Sequence, residues 1–165
     1  RAVTPAQVSW VRELEGVERV GVFRDRPLAE IGAIRDELGL DWVQLHGEEP
    51  DTWLDRLGAQ VLRRVRVGGD GGVDWDRVGN LAARCLPLLD PGAGDGRPWG
   101  WEALAERPPG LRFGLAGGLR PENVARAVAV VRPVLVDVSS GVELAPGVKD
   151  PARMAELVRR VRAGA

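Results

Sequence analysis

Short apolar runs alternate with longer amphipathic stretches along this chain, and that alternation restricts the fold more than any other feature. The runs stand at residues 17–23, 42–45, 61–67, 86–90, 113–116 and 134–138. Each is followed by a stretch that reads as helix. The clearest carry apolar residues three and four apart, with Leu28, Ile31, Ile34 and Leu38 after the first run and Val124, Val128 and Val131 after the fifth. Trp53, Leu54 and Leu57 mark a helix opened by Pro50, weaker helices are predicted near 73–83 and 101–105, and the last helix covers 151–161. Thr4 followed by Pro5 signals a leading helix that presents Val8, Val11 and Leu14. Parallel strands need a helix to return the chain, so strict alternation predicts an α/β fold with a parallel sheet covered by helices. An open doubly wound sheet and a barrel both satisfy it. No Gly-x-Gly-x-x-Gly turn follows the first run, which weakens the dinucleotide-binding version of the open sheet. Three arginines, Arg63, Arg64 and Arg66, make 61–67 the least strand-like of the six runs.

Composition narrows the function classes. Acids number 24 against 23 bases, a net charge of −1, so no basic field exists to hold nucleic acid or an anionic membrane. No apolar run approaches the roughly 18 residues a membrane span needs. Cys85 is the only cysteine, which excludes an internal disulfide and suits a reducing, cytoplasmic compartment. A length of 165 residues fits one domain spanning 1–165, and no linker or low-complexity segment divides it. The chain begins at Arg1, not methionine, and runs at once into a helix-start signal, so an upstream segment is expected, either a trimmed disordered tail or folded structure.

In parallel α/β folds, ligands gather at the carboxyl ends of strands. The polar or glycine-rich positions there are His46, Asp90, Gly117-Gly118, and Asp137 through Gly141. Gly117-Gly118 and Ser139-Ser140-Gly141 each end a strand and precede a helix. Glycine admits an anion close to the backbone, serine adds a donor, and a helix amino terminus adds unpaired N–H groups. Together they read as a phosphate site, against the plainer alternative of two tight turns. Asp90 ends the run Leu86-Pro87-Leu88-Leu89 and faces a glycine-rich loop. A carboxyl at such a mouth can donate a proton where burial disfavours its charge, or can simply bond its own loop. Asp137, flanked by two valines, reads equally as a substrate contact, an orienting group for a neighbour or a structural residue. His46 is the sole histidine, which excludes a histidine-based metal cluster and leaves a substrate-orienting, structural or base role. Cys85 precedes its strand and reads as a small core residue. Trp10, Trp53 and Trp101 read as packing, whereas Trp99, in a loop, could cover a ligand.

Five blocks in fixed order carry a family resemblance: Val-Gly-Val-Phe at 20–23, Val-Gln-Leu-His-Gly-Glu-Glu-Pro at 43–50, Leu-Leu-Asp at 88–90, Leu-Ala-Gly-Gly-Leu-x-Pro-Glu-Asn-Val at 115–124, and Val-Asp-Val-Ser-Ser-Gly-Val-Glu at 136–143 leading to Pro-Gly-x-Lys-Asp. Along essentially its whole length the chain resembles phosphoribosylanthranilate isomerase of tryptophan biosynthesis. The resemblance implies a (β/α)8 barrel, an Amadori rearrangement of a small phosphosugar substrate, and neither metal nor organic cofactor. A homodimer is compatible with it. It assigns the general acid to Asp90, the phosphate grip to Gly117, Gly118, Ser139, Ser140 and Gly141, and the anthranilate carboxylate to Arg1, whose guanidinium suits bidentate binding. His46 and Asp137 are the further substrate-contact candidates.

Two departures accompany it. The family opens on a strand with a Lys-x-Cys-Gly motif whose cysteine is the general base, and that motif is absent from these residues. The expectation is therefore an incomplete barrel of about six βα units, without the first two strands and first helix, and inactive by itself. The loop Gly92-Ala93-Gly94-Asp95-Gly96 also replaces the family's Gly-Gly-Ser/Thr-Gly pattern. Two competing readings are a non-catalytic phosphosugar-binding open α/β domain and another phosphate-binding barrel enzyme, such as indole-glycerol-phosphate synthase or thiamine-phosphate synthase. The indole-glycerol-phosphate synthase reading needs additional catalytic lysines, and Lys149 is the only lysine.

Overall fold

The structure, a computed structural model, describes residues 2–58, 60–68, 72–92 and 100–164. The chain folds as two compact units: residues 1–64 with 80–87, and residues 65–79 with 88–165.

In the first unit, strands β1 (Val20–Phe23), β2 (Trp42–Leu45) and β3 (Val61–Arg66, whose last two residues pass into the second unit) pair in chain order, all parallel. Val20 lies opposite Trp42, and Val43 opposite Val61. Helix α1 (Leu28–Leu38) returns the chain from β1 to β2 and ends on Gly39 at φ 61°, the left-handed stop that favours glycine. Helix α2 (Leu54–Leu57) follows a 3₁₀ turn at Asp51–Trp53. Ile31, Leu38, Val43, Leu45, Leu54 and Val61 form the core of this unit.

In the second unit β4 (Leu86–Asp90, entering from the first), β5 (Gly114–Leu115) and β6 (Leu135–Val136) pair in parallel. Helix α3 (Trp75–Ala82) precedes β4, α4 (Pro121–Val131) follows β5, and α5 (Pro151–Gly164) packs on α4. A Cβ on Gly164 would stand 2.6 Å from the Ala125 carbonyl, so α5 ends in direct contact with α4. Leu88, Leu115, Val124, Ala127 and Val131 are fully enclosed.

The helix–strand alternation is as expected, with shorter strands and several helices replaced by tighter turns. Residues 5–13 form a 3₁₀ segment, broken at Val8 (φ −123°), that contacts α1 but fully buries no side chain, with Pro5, Val8 and Val11 half-buried. A 3₁₀ segment also occupies Trp101–Glu106. The arginine-bearing run is a strand after all: Arg63 is buried in it beside acidic partners. One hairpin is a feature that the alternation does not predict. Strands β7 (Glu143–Ala145) and β8 (Val148–Lys149) pair antiparallel about Pro146-Gly147, with Gly147 at φ 83°.

Candidate functional site

The second unit brings together Asp90, both glycine loops and Asp137 at one end of its three strands. Leu89, Leu115 and Val136 lie level across β4, β5 and β6. The ladder continues one residue further: the Ala116 amide donates to the Leu89 carbonyl and the Asp137 amide to the Leu115 carbonyl, both at 2.9 Å. Asp90, Ala116 and Asp137 therefore form the next row, on the face shared with Leu88, Gly114 and Leu135. Gly114 is glycine for a visible reason. A Cβ there would meet Leu88 Cδ1 at 2.9 Å and Leu135 Cδ2 at 3.1 Å. Those two leucines close over it as an apolar floor beneath the row of Asp90 and Asp137, two strand spacings or about 10 Å apart.

Asp90 is 8% exposed. One carboxylate oxygen accepts the Gly92 amide at 2.9 Å, and its carbonyl accepts the Val67 amide at 3.3 Å. The side chain thus closes its own loop, as the plainer alternative held, while standing at the strand mouth that proton donation requires.

The glycine pair after β5 takes two consecutive left-handed conformations, φ 88° at Gly117 and 63° at Gly118. A β-carbon would strain both. Asn123, in the first turn of α4, pins this loop: its Nδ2 donates to the Gly118 carbonyl at 3.0 Å and its Oδ1 accepts the Arg120 amide at 2.9 Å. After β6, Ser140–Val142 form a single 3₁₀ turn whose first internal bond is donated by Val142 to Ser139. The Ser140 and Gly141 amides precede that bond and have no acceptor within the turn. Gly141 then presses on the loop after β5, since a Cβ there would run into the Leu119 carbonyl oxygen and lie 3.1 Å from the Arg120 Cα. The two predicted phosphate loops touch.

Two cations hold the second loop from its carbonyl side. Lys149 Nζ donates to the Ser139 carbonyl at 2.8 Å and to its hydroxyl at 3.3 Å, and pairs with Glu143 at 2.8 Å. Arg153 Nε donates to the Gly141 carbonyl at 3.2 Å. A peptide's N–H and C=O point in opposite directions. Anchoring the Ser139 carbonyl therefore turns the Ser140 amide the other way. Sequence reasoning missed Asn123, Lys149 and Arg153. Their signals were a Pro-Glu-Asn helix start and the Pro-Gly turn that folds Lys149 back on Ser139.

His46 belongs to the first unit. Its amide donates to the Phe23 carbonyl at 2.9 Å and its carbonyl accepts Arg64 Nη1 at 3.3 Å. Cys85 is buried at the opposite end of β4 from Asp90, and its Sγ lies 3.4 Å from the Leu81 carbonyl. Burial, reinforced by the negative charge of Asp51, pushes its thiol up to about 11. It does not offer a thiolate at neutral pH. Arg1, Trp99 and the glycine-rich segment 93–99 lie outside the described residues. Among the described residues no helix is long and apolar enough to cross a membrane.

The family model described as N-(5'-phosphoribosyl)anthranilate (PRA) isomerase matches residues 1–160. The N-(5'-phosphoribosyl)anthranilate isomerase of Pelobacter propionicus is 39% identical over 163 residues, covering 96% of this chain and 78% of that protein. The crystal structure of phosphoribosyl anthranilate isomerase from Thermotoga maritima superimposes with a TM-score of 0.82 at 33% identity, covering 98% of this chain and 82% of that one. A second crystal structure of such an isomerase, in complex with reduced 1-(o-carboxyphenylamino)-1-deoxyribulose 5-phosphate, gives a TM-score of 0.77 at 32% identity, covering 98% and 80%. The chain belongs to the N-(5'-phosphoribosyl)anthranilate isomerase family.

Proposed function

We propose that this chain carries out, as part of a cytoplasmic (β/α)8 enzyme, the isomerase reaction of tryptophan biosynthesis: N-(5-phosphoribosyl)anthranilate to 1-(2-carboxyphenylamino)-1-deoxyribulose 5-phosphate. The observation that carries this reading is the family match over residues 1–160, with Asp90 ending β4 level with the loops that the family pattern assigns to phosphate.

In this reading the phosphate docks on the amides of Gly118, Ser140 and Gly141. Converging backbone donors hold a dianion without any net positive charge on the protein. The Asp90 carboxyl donates its proton to the furanose ring oxygen as the bond from that oxygen to C1 breaks. The electron pair of the anthranilate nitrogen moves into the new C–N double bond, giving the open-chain iminium. Loss of the C2 proton to a base then yields the enolamine, which tautomerises to the amino-ketose. The family pattern puts that base on the cysteine of a Lys-x-Cys-Gly strand. Cys85, enclosed at the wrong end of β4, does not substitute for it. Arg1 binds the anthranilate carboxylate, while His46 and Asp137 contact the substrate. Six βα units come from these residues.

Turnover is accordingly tested on this chain joined behind a segment bearing the Lys-x-Cys-Gly strand, with anthranilate fluorescence as the readout. The fusion is expected to turn over, and the 165-residue chain alone to show little or no activity. Asp90→Asn in the fusion should lower kcat by about 10²–10⁴-fold, the usual contribution of a positioned acid, and leave binding of the reduced product analogue intact. Full activity in Asp90→Asn would remove Asp90 from the acid role.

A further inference from the structure

The first unit holds a buried ion pair that no step of the proposed chemistry uses. Glu49 is 3% exposed and Arg63 4%, with Arg63 Nη1 3.4 Å from Glu49 Oε2. Such a pair seldom adds net stability, because desolvation offsets the attraction. It does impose geometry, and here its bonds converge on one short segment.

The two carboxylate oxygens of Glu49 accept different loops. Oε1 takes the Asp25 amide at 2.8 Å and Oε2 the Gly47 amide at 2.9 Å. Arg63 spreads its fork over the same segment. Nη1 reaches the Leu45 carbonyl at 3.5 Å and the Gly47 carbonyl at 3.0 Å, and Nη2 reaches the Glu49 carbonyl at 2.7 Å. Nε pairs with Asp51 at 2.9 Å. The loops are also pressed together, since a Cβ on Gly47 would lie 2.8 Å from the Asp25 amide nitrogen. Between Leu45 and Gly47 stands His46. Arg63 binds the carbonyl on either side of it, and Glu49 accepts the amide of the peptide that follows it.

We infer that Glu49 and Arg63 are positioning residues for His46, fixing the backbone on both sides so that its imidazole meets the substrate in one orientation. This rests on the reading of His46 as a substrate-orienting residue. The residue types suit the task. Two amides converge on two acceptor oxygens, which a carboxylate supplies and an amide side chain does not. Three carbonyls and two carboxylates surround one cation, which a planar guanidinium satisfies and an ammonium does not.

The test is NMR on the 165-residue chain. His46 is the sole histidine, so its ring signal is unambiguous. The parent chain should give one sharp ring signal that shifts on addition of reduced 1-(o-carboxyphenylamino)-1-deoxyribulose 5-phosphate. Glu49→Gln leaves one backbone amide facing an amide donor, and Arg63→Lys keeps the charge without the fork. In each variant the ring signal should broaden or double, and the analogue should bind on the order of tenfold more weakly. Methyl signals of the enclosed Leu88 and Val124 in the second unit should keep their parental positions, which separates lost positioning from lost folding. Arg63→Lys supplies the readout where Glu49→Gln does not fold. Sharp, parental ring signals with parental affinity in folded variants would overturn the inference. A parental His46 ring that ignores saturating analogue would overturn the substrate-orienting reading instead.

Discussion

Cys85 precedes β4 and Asp90 ends it, and their positions separate their chemistry. The Cys85 thiol is enclosed, and loss of hydration holds its ionisation near 11 against an ordinary 9.0. Folding therefore favours the protonated thiol. That contribution is complete below about pH 9 and is lost as pH rises through the folded value. The difference corresponds to about 2–3 kcal/mol. The chain has no tyrosine and one lysine, so few other side chains titrate in that window. Denaturant titrations at about pH 8 and about pH 11 should show the parent losing stability by about that amount, with the loss largely absent in Cys85→Ala. Equal losses in both proteins would show the thiol to be hydrated. At the same scale, Asp90 was legible because an acid closing an apolar run is uncommon. The strand at 61–67 was read correctly although three arginines weakened it, and the acidic partners that let Arg63 sit inside came from positions 49 and 51, in a different segment.

Among the elements, the glycines divide into those that close contacts and those that merely loosen helices. Gly141 lets the loop after β6 rest on the backbone of Leu119 and Arg120. Gly141→Ala must push the two loops apart, costing about 1–3 kcal/mol. It should also weaken inorganic phosphate binding by titration calorimetry. Gly32, inside α1, has open space around its Cβ position. Gly32→Ala should raise stability by about 0.5–1 kcal/mol and leave phosphate affinity unchanged. Unchanged phosphate affinity in Gly141→Ala would detach that loop from the anion. The place of both loops was readable from sequence, because each glycine or serine cluster directly follows an apolar run. Their support was not. Asn123, Lys149 and Arg153 act through bonds to carbonyls in other segments, and neither spacing nor periodicity encodes which carbonyl a side chain reaches. Helix type was equally hidden at 5–13, where an apolar spacing of three fits a 3₁₀ turn as well as an α-helix.

For the chain as a whole, a net charge of −1 means that an anionic phosphosugar finds no general field to draw it in. Recognition must come from local donors. Within each unit the parallel pairing of consecutive strands accords with the alternation of the sequence, since βα units place consecutive parallel strands side by side. Periodicity alone did not distinguish a barrel from an open sheet, because both bury the same strands beneath the same helices. The barrel reading came from the residue blocks of the family resemblance, several of which run past strand ends. The central claim is that these ends of β4, β5 and β6 receive one sugar phosphate. It is tested most directly by a crystal structure of the chain with reduced 1-(o-carboxyphenylamino)-1-deoxyribulose 5-phosphate. The phosphate should lie within hydrogen-bond distance of the Gly118, Ser140 and Gly141 amides, with the Asp90 carboxyl beside the sugar oxygen that closes the furanose ring. A phosphate bound at the amino ends of the strands, or an Asp90 carboxyl turned away from the sugar, would contradict the account.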